Sequence, residues 1–282
     1  MMQEILLFGQ VLADNHQTLR QQLAGLARMP PQPVLERHLI FKPRSPPGLA
    51  NLPTGSGPQG PQQQELQKTR QMLNTPLNYV QVVGLLENKE LTPKKEQSVV
   101  PNMNADHDLI MTSDEDESAQ SRKAFQWYLE FNDIPEPGKV SATSRATSKT
   151  RILEGDVIKF MNDLGYEYLS QYITTGDRFY DQDTTLFLYK VMQASDQSTQ
   201  NTTPTTSTIN TTPDISKLTP LDPSEGYVLQ ASIEITDGNS PDLKDKATQQ
   251  LLAIKDTLRS SVDLTPGDRL ALDTRVPVRR VR

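Results

Sequence analysis

The chain has 282 residues, with 21 prolines, no cysteine and a formal net charge of −6. A mean hydropathy of −0.58 and a pI near 5.2 leave too little apolar material to pack the whole length. They also supply no positive field to draw the chain to nucleic acid or an anionic membrane. Without cysteine there is no disulfide, thiolate nucleophile or cysteine-ligated metal, and no apolar run approaches the roughly 18 residues of a membrane span.

The first element is a strand over Gln3 to Leu12, dense in Ile5, Leu6, Leu7, Phe8 and Val11. Glu4 and the lack of a basic leader argue against a signal peptide, so the expectation is a soluble intracellular chain. Asp14 or Asn15 can cap a helix that carries Leu19, Leu23, Leu26 and Ala27 on one stripe and stops at Pro30-Pro31. A second strand runs from Val34 to Phe41. Residues 43–71 are rich in Pro, Gly and Gln, too polar to offset the entropy of ordering, and are expected to be a flexible insertion.

A third strand is expected over Leu77 to Leu86, then a flexible acidic insertion over 87–122 that ends in Ser113-Asp114-Glu115-Asp116-Glu117. Lys123 to Phe131 alternates again and holds the single tryptophan, Trp127. Ser141 to Thr150, with its near repeat ATSR and ATSK, reads as a small basic linker.

The densest aromatic region is 153–192. Val157, Phe160, Met161 and Leu164 stand at i, i+3, i+4 and i+7, one face of a short helix, and Gly165 sits where a left-handed stop is wanted. The period then switches to two, which puts Tyr166, Tyr168, Tyr172 and Thr174 on one face of a strand bent at Gly176. Asp181-Gln182-Asp183 supplies a turn, and Leu186 to Met192 returns as the second arm of a hairpin.

Residues 195–224 form a third expected flexible insertion; over 195–213, eleven of nineteen residues are Ser or Thr. Tyr227 to Ile235 is another strand. Asp242 to Val262 is a helix with Leu243, Ala247, Leu251, Ile254 and Leu258 on one face, and Arg269 to Val278 is a last candidate strand. Strands joined by hairpins and insertions imply an antiparallel sheet. The expected fold class is α+β, mainly β: one domain built as a many-stranded antiparallel β-barrel with a few flanking helices. Closure is favoured because several strands carry apolar residues on both faces and need cover.

Catalytic signatures are missing. His16, His38 and His107 have no metal-ligand spacing, and there is no phosphate-binding glycine loop or nucleophile elbow. No catalytic, cofactor-binding or metal-binding residue is assigned, and no cofactor is expected. Ser113 before four acidic residues fits an acidophilic kinase site. The sequons at Asn201 and Asn210 read as low-complexity sequence, and the basic linker with the Arg279–Arg282 tail is too dispersed to make a phosphate surface.

The order EILLFGQV, DNHQTLRQQLAGLA, ERHLIFKP at the N-terminus resembles the subunit 18 family of the Mediator complex of RNA polymerase II, in its fungal form. So do the hairpin Gly176 to Val191, with Gly176, Arg178 and Phe179 its most distinctive residues, and the tail LALDTRVPVR. The resemblance implies a barrel in the Mediator head module, in the nucleus, without enzyme activity. It implies pairing with the related subunit 20, capture of a C-terminal helix of subunit 8, and relay of regulatory signals to the polymerase and its initiation factors. On this reading Tyr166, Tyr168, Tyr172, Phe179, Phe187 and Tyr189 are candidate anchors of a partner interface. The alternative is a triphosphate-tunnel phosphohydrolase. Its chemistry needs alternating inward glutamates, whereas the first strand offers Glu4 with Leu6 and Phe8 at the matching spacing, and the strand at 227–235 offers Glu234.

Overall fold

A computed structural model describes residues 2–44, 77–86, 125–138, 140–153, 155–194 and 217–276. Most of the three expected insertions, Ser113, His107 and both sequons lie outside the described residues.

Nine strands and three α-helices are present among them. The strands are β1 (Met2–Val11), β2 (Gln32–Pro43), β3 (Val80–Leu86), β4 (Gln126–Asn132), β5 (Thr143–Ile152), β6 (Tyr166–Asp181), β7 (Thr184–Ala194), β8 (Leu218–Pro220) and β9 (Tyr227–Ile235). The helices are α1 (His16–Ala27), α2 (Val157–Asp163) and α3 (Pro241–Leu258). Eight strands pair antiparallel in the order β6-β2-β3-β4-β5-β1-β9-β7, and β7 returns to β6 to close the barrel. The short β8 adds to the far end of β7 through Met192, Gln193 and Ala194. Residues 218–220, within the stretch expected to be the third insertion, are thus paired as a strand.

The helices start and stop for local reasons. Asp156 caps α2, its side chain accepting from the amides of Ile158 and Lys159 at 2.9 and 3.1 Å. Gly165 ends that segment at φ 87°, a conformation that favours glycine. Pro241 opens α3 at the position where a missing amide hydrogen does no harm. Ala247, Leu251, Ile254 and Leu258 form its buried stripe, while Leu243, expected to share that face, is exposed.

Two apolar clusters lie outside the barrel wall. In the larger, Ile5, Leu7, Phe179, Leu188, Leu229 and Ile233 project outward beneath Leu19 and Leu23 of α1 and the stripe of α3. Arg20 fastens α1 to β6 through a forked pair with Asp177, at 2.6 and 3.2 Å. In the smaller, Leu35, Leu39, Phe41, Val82 and Trp127 meet Val157, Ile158 and Met161 of α2. Apolar burial at roughly 25 cal/mol per Å² makes these two layers the main drive to fold.

Three stretches of the chain depart from expectation. The supposed linker at 141–150 is the heart of β5, paired on both sides, with β4 and β1. Its alternation is polar against small, not apolar against polar, so it carries no usual strand signature. Over 269–276, the described part of the last candidate strand, no strand forms: the segment turns at 269–272 and meets the barrel through the bridges Phe8–Thr265 and Asn78–Arg275, with Gly267 N donating to Thr143 Oγ1 and Thr274 Oγ1 donating to the Asn132 carbonyl. The third is the expected aromatic face of β6. A register shift falls where Ile40 pairs with Ser170 but Phe41 pairs with Tyr168, leaving Leu169 as the extra residue. The bulge sends Tyr166 and Tyr168 to the outer cluster and Tyr172 to the interior.

Candidate functional site

The barrel encloses a lumen of about 860 Å³. Its wall follows from alternation: in β1, Ile5 and Leu7 point out to the helices while Glu4 and Phe8 point in. The same rule turns Glu36 and His38 of β2, Glu130 of β4, Arg145 and Lys149 of β5, and Arg178 of β6 inward. The apolar material of the strands is thus spent mostly on the outside, and the inside carries most of the wall's charged side chains.

Most of the charges are matched within the wall. Arg145 Nη2 meets Glu4 Oε2 at 2.8 Å across the β1–β5 pair. Lys149 Nζ meets Glu130 Oε1 at 2.8 Å across β4–β5 and lies 5.0 Å from the centre of the Tyr128 ring. Arg178 Nη2 meets Glu36 Oε1 at 2.9 Å, its guanidinium 4.6 Å from the Phe187 ring. Asp273, on the C-terminal segment, is tied to Arg275 at 2.6 Å.

Burial and pairing compete at each carboxylate, with different winners. Burial raises the Glu4 carboxyl above its ordinary range; Arg145 works against that, while Glu234 and Glu130 add to it. Burial would raise Glu36 too, but contacts with His38 and Arg178 bring it down to about 2. His38 Nε2 lies 3.6 Å from Glu36, too far for a good hydrogen bond, so the 2.9 Å contact with Arg178 carries most of that lowering. Burial works against the charge on Lys149, yet Glu130 outweighs it and the pKa is raised. Burial pushes Tyr189 up to about 12 and raises Tyr172 as well, so both phenols stay protonated.

The six candidate interface aromatics fall into three environments. Tyr172, Phe187 and Tyr189 line the lumen, Tyr172 stacked on His38 at 4.4 Å and Phe187 on Tyr189 at 4.6 Å. Phe179 is fully buried in the larger outer cluster. Tyr166 and Tyr168 are half-buried against the smaller one, Tyr168 edge-on to Phe41. His16 stacks on Tyr227 at 3.9 Å.

Sequence reasoning missed the ionic lumen. Glu36, Glu130, Arg145 and Lys149 were not singled out, though a signal was present: Arg145 and Lys149 share a face with Thr147 at strand spacing, and Glu36 and His38 do the same within an otherwise apolar run. Among the described residues no group of three His, Asp or Glu could hold a metal ion. Nor does the lumen suit polyphosphate. A phosphate clamp needs cations free to meet it, and Arg145, Lys149 and Arg178 are each already paired with a carboxylate.

Comparison with known proteins gives this geometry a family. The family model described as Med18 protein matches residues 3–275. Subunit 18 of the Mediator of RNA polymerase II transcription from Coccidioides immitis is 38% identical over 276 residues, covering 98% of this chain and 100% of that protein. The same subunit from Aspergillus fumigatus is 37% identical over 280 residues, covering 97% and 99%. Among solved structures, a chain of the Schizosaccharomyces pombe Mediator head module superposes with a TM-score of 0.60 at 17% identity, over 94% of this chain and 98% of that one, a likeness of fold. Matched by the family model over residues 3–275 and by these relatives over nearly its full length, the chain belongs to the Mediator subunit 18 family.

Proposed function

We propose that the chain is a non-enzymatic structural subunit of the Mediator head module in the nucleus. There it pairs with the related barrel of subunit 20, receives the C-terminal helix of subunit 8, and helps relay regulatory signals to RNA polymerase II and its initiation factors. The observation that supports an assembly role is the apolar surface left over after the helices have docked. Between residues 153 and 169, Leu153, Phe160, Leu164 and Leu169 are all exposed large apolar side chains. Phe160 and Leu164 stand one turn apart on and just beyond α2, and Leu169 is the bulged residue of β6. Tyr166 and Tyr168, half-buried beside them, are the two aromatic candidates best placed to anchor a partner there.

The test is co-expression of this chain with subunit 20, and separately with the C-terminal helix of subunit 8, followed by affinity purification at moderate salt. Stoichiometric retention of either partner is expected, because an interface with an apolar centre is little screened. Failure to retain either would remove the pairing part of the proposal.

A further inference from the structure

Wall pairing in the lumen leaves one carboxylate over. Glu4, Glu36, Glu130 and Asp273 each meet a cation, whereas Glu234 has neither a hydrogen bond nor an ion pair among the described residues. Glu234 is also the register partner of Glu4 across the β1–β9 pair. Like charges placed directly opposite on an antiparallel pair stand about 5 Å apart at Cβ and repel.

A second and independent group lies on the β2 side of the lumen. Thr174 Oγ1 donates to Glu36 Oε2 at 3.4 Å, so the same oxygen accepts from His38 Nε2 at 3.1 Å. That assignment puts the ring hydrogen on Nε2 and, in the neutral imidazole, leaves a lone pair on Nδ1. His38 Nδ1 is buried with no partner, on a residue 8% exposed whose ring lines the lumen. In that neutral tautomer Nδ1 is an acceptor that lacks a donor. Tyr172 and Tyr189 add ring faces to the same wall, and among the described residues no cation lies over either.

We infer that the lumen binds an organic cation, a protonated amine or guanidinium, held by Glu234 with its N–H groups directed to the aromatic wall that carries His38. Carboxylate, unfilled acceptor and ring face all favour N–H donors with positive charge. A volume of about 860 Å³ is that of an ordinary small-ligand site. An elongated cation suits it, because β9 and β2 are separated by β7 and β6 around the ring. An anion would first have to displace a carboxylate from Arg145, Lys149 or Arg178. The same chemistry could arrive as a free polyamine or as a basic side chain offered by another protein.

The experiment is calorimetric titration of the full chain at low salt with three probes: spermidine, N-acetylarginine amide and tripolyphosphate. Each is repeated on Glu234→Gln. Glu234 makes no contact that the fold needs, so an unchanged melting curve is the control for that variant. Saturable spermidine binding, about tenfold weaker in Glu234→Gln for the loss of one charge-assisted contact, supports a free polyamine. Binding of N-acetylarginine amide with the same sensitivity supports a partner's side chain. Cation binding that ignores Glu234→Gln would come from other acidic sequence, such as Asp114–Glu117, and would overturn the inference. So would no cation binding at all, or binding of tripolyphosphate in place of the cations.

Discussion

Glu36 shows how one residue can set the acid limit of the barrel. Its carboxylate takes the Arg178 guanidinium and the Thr174 hydroxyl, and it is itself buried. The folded pKa of about 2 lies below the ordinary value of 4.5, so the stabilisation is fully present above pH 4.5 and is lost as pH falls toward 2. A shift of that size corresponds to about 3 kcal/mol. Glu4 runs the other way: its raised pKa means that protonation favours the folded state as pH falls. Urea unfolding between pH 6 and pH 2.5 should therefore show Glu36→Gln less stable than the parent by about 3 kcal/mol at pH 6. The gap should narrow toward pH 2.5, where the parent has lost part of what Glu36 supplies. A gap independent of pH would mean that the residue matters for packing and not for charge.

At the scale of elements, the sequence revealed those strands and helices that bury an apolar face and concealed those that do not. β1, β2, β9, α1 and α3 stand close to where periodicity put them, because their outward stripes enter the two outer clusters. β5 was hidden because its inward face is Arg145, Thr147 and Lys149 and its outward face is small; its partners, β4 and β1, determine it, and they are remote in sequence. The split of Tyr166, Tyr168 and Tyr172 was hidden for a related reason, since a bulge depends on pairing with β2 and not on spacing within β6. Gly176 was visible, but its reason was not. A Cβ there would strike the Leu188 carbonyl and the Tyr189 backbone, so the glycine permits close approach of β7. Gly176→Ala should destabilise the barrel by about 3 kcal/mol through overpacking, read as a drop in the urea midpoint. Asp156→Ala should be milder, about 1 kcal/mol, because it removes one cap from a short helix that packing also holds. Reversal of that order would mean that α2 is held mainly by its cap.

For the molecule as a whole, the division between inside and outside decides what holds the fold and what is left exposed. A charged lumen contributes little apolar burial, so the fold depends on its outer clusters, and what those clusters leave uncovered is available for assembly. The exposed apolar residues between Leu153 and Leu169 are the concentration of such surface in one stretch of chain. The isolated chain is accordingly expected to self-associate at high concentration. Light scattering of the chain alone should give a mass above that of the 31.6 kDa monomer.

The most direct measurement is the light-scattering mass of the complex formed with subunit 20 and the subunit 8 helix, by the native chain and by a variant with Phe160, Leu164 and Leu169 each changed to Ser. All three are already exposed, so the variant should fold; assembly is what it should lose. The proposed apolar interface predicts a stoichiometric ternary mass for the native chain and a complex weakened at least tenfold for the variant, as expected when the apolar centre of an interface is removed. A native chain that forms no complex, or a variant that assembles as well as the native chain, would contradict it.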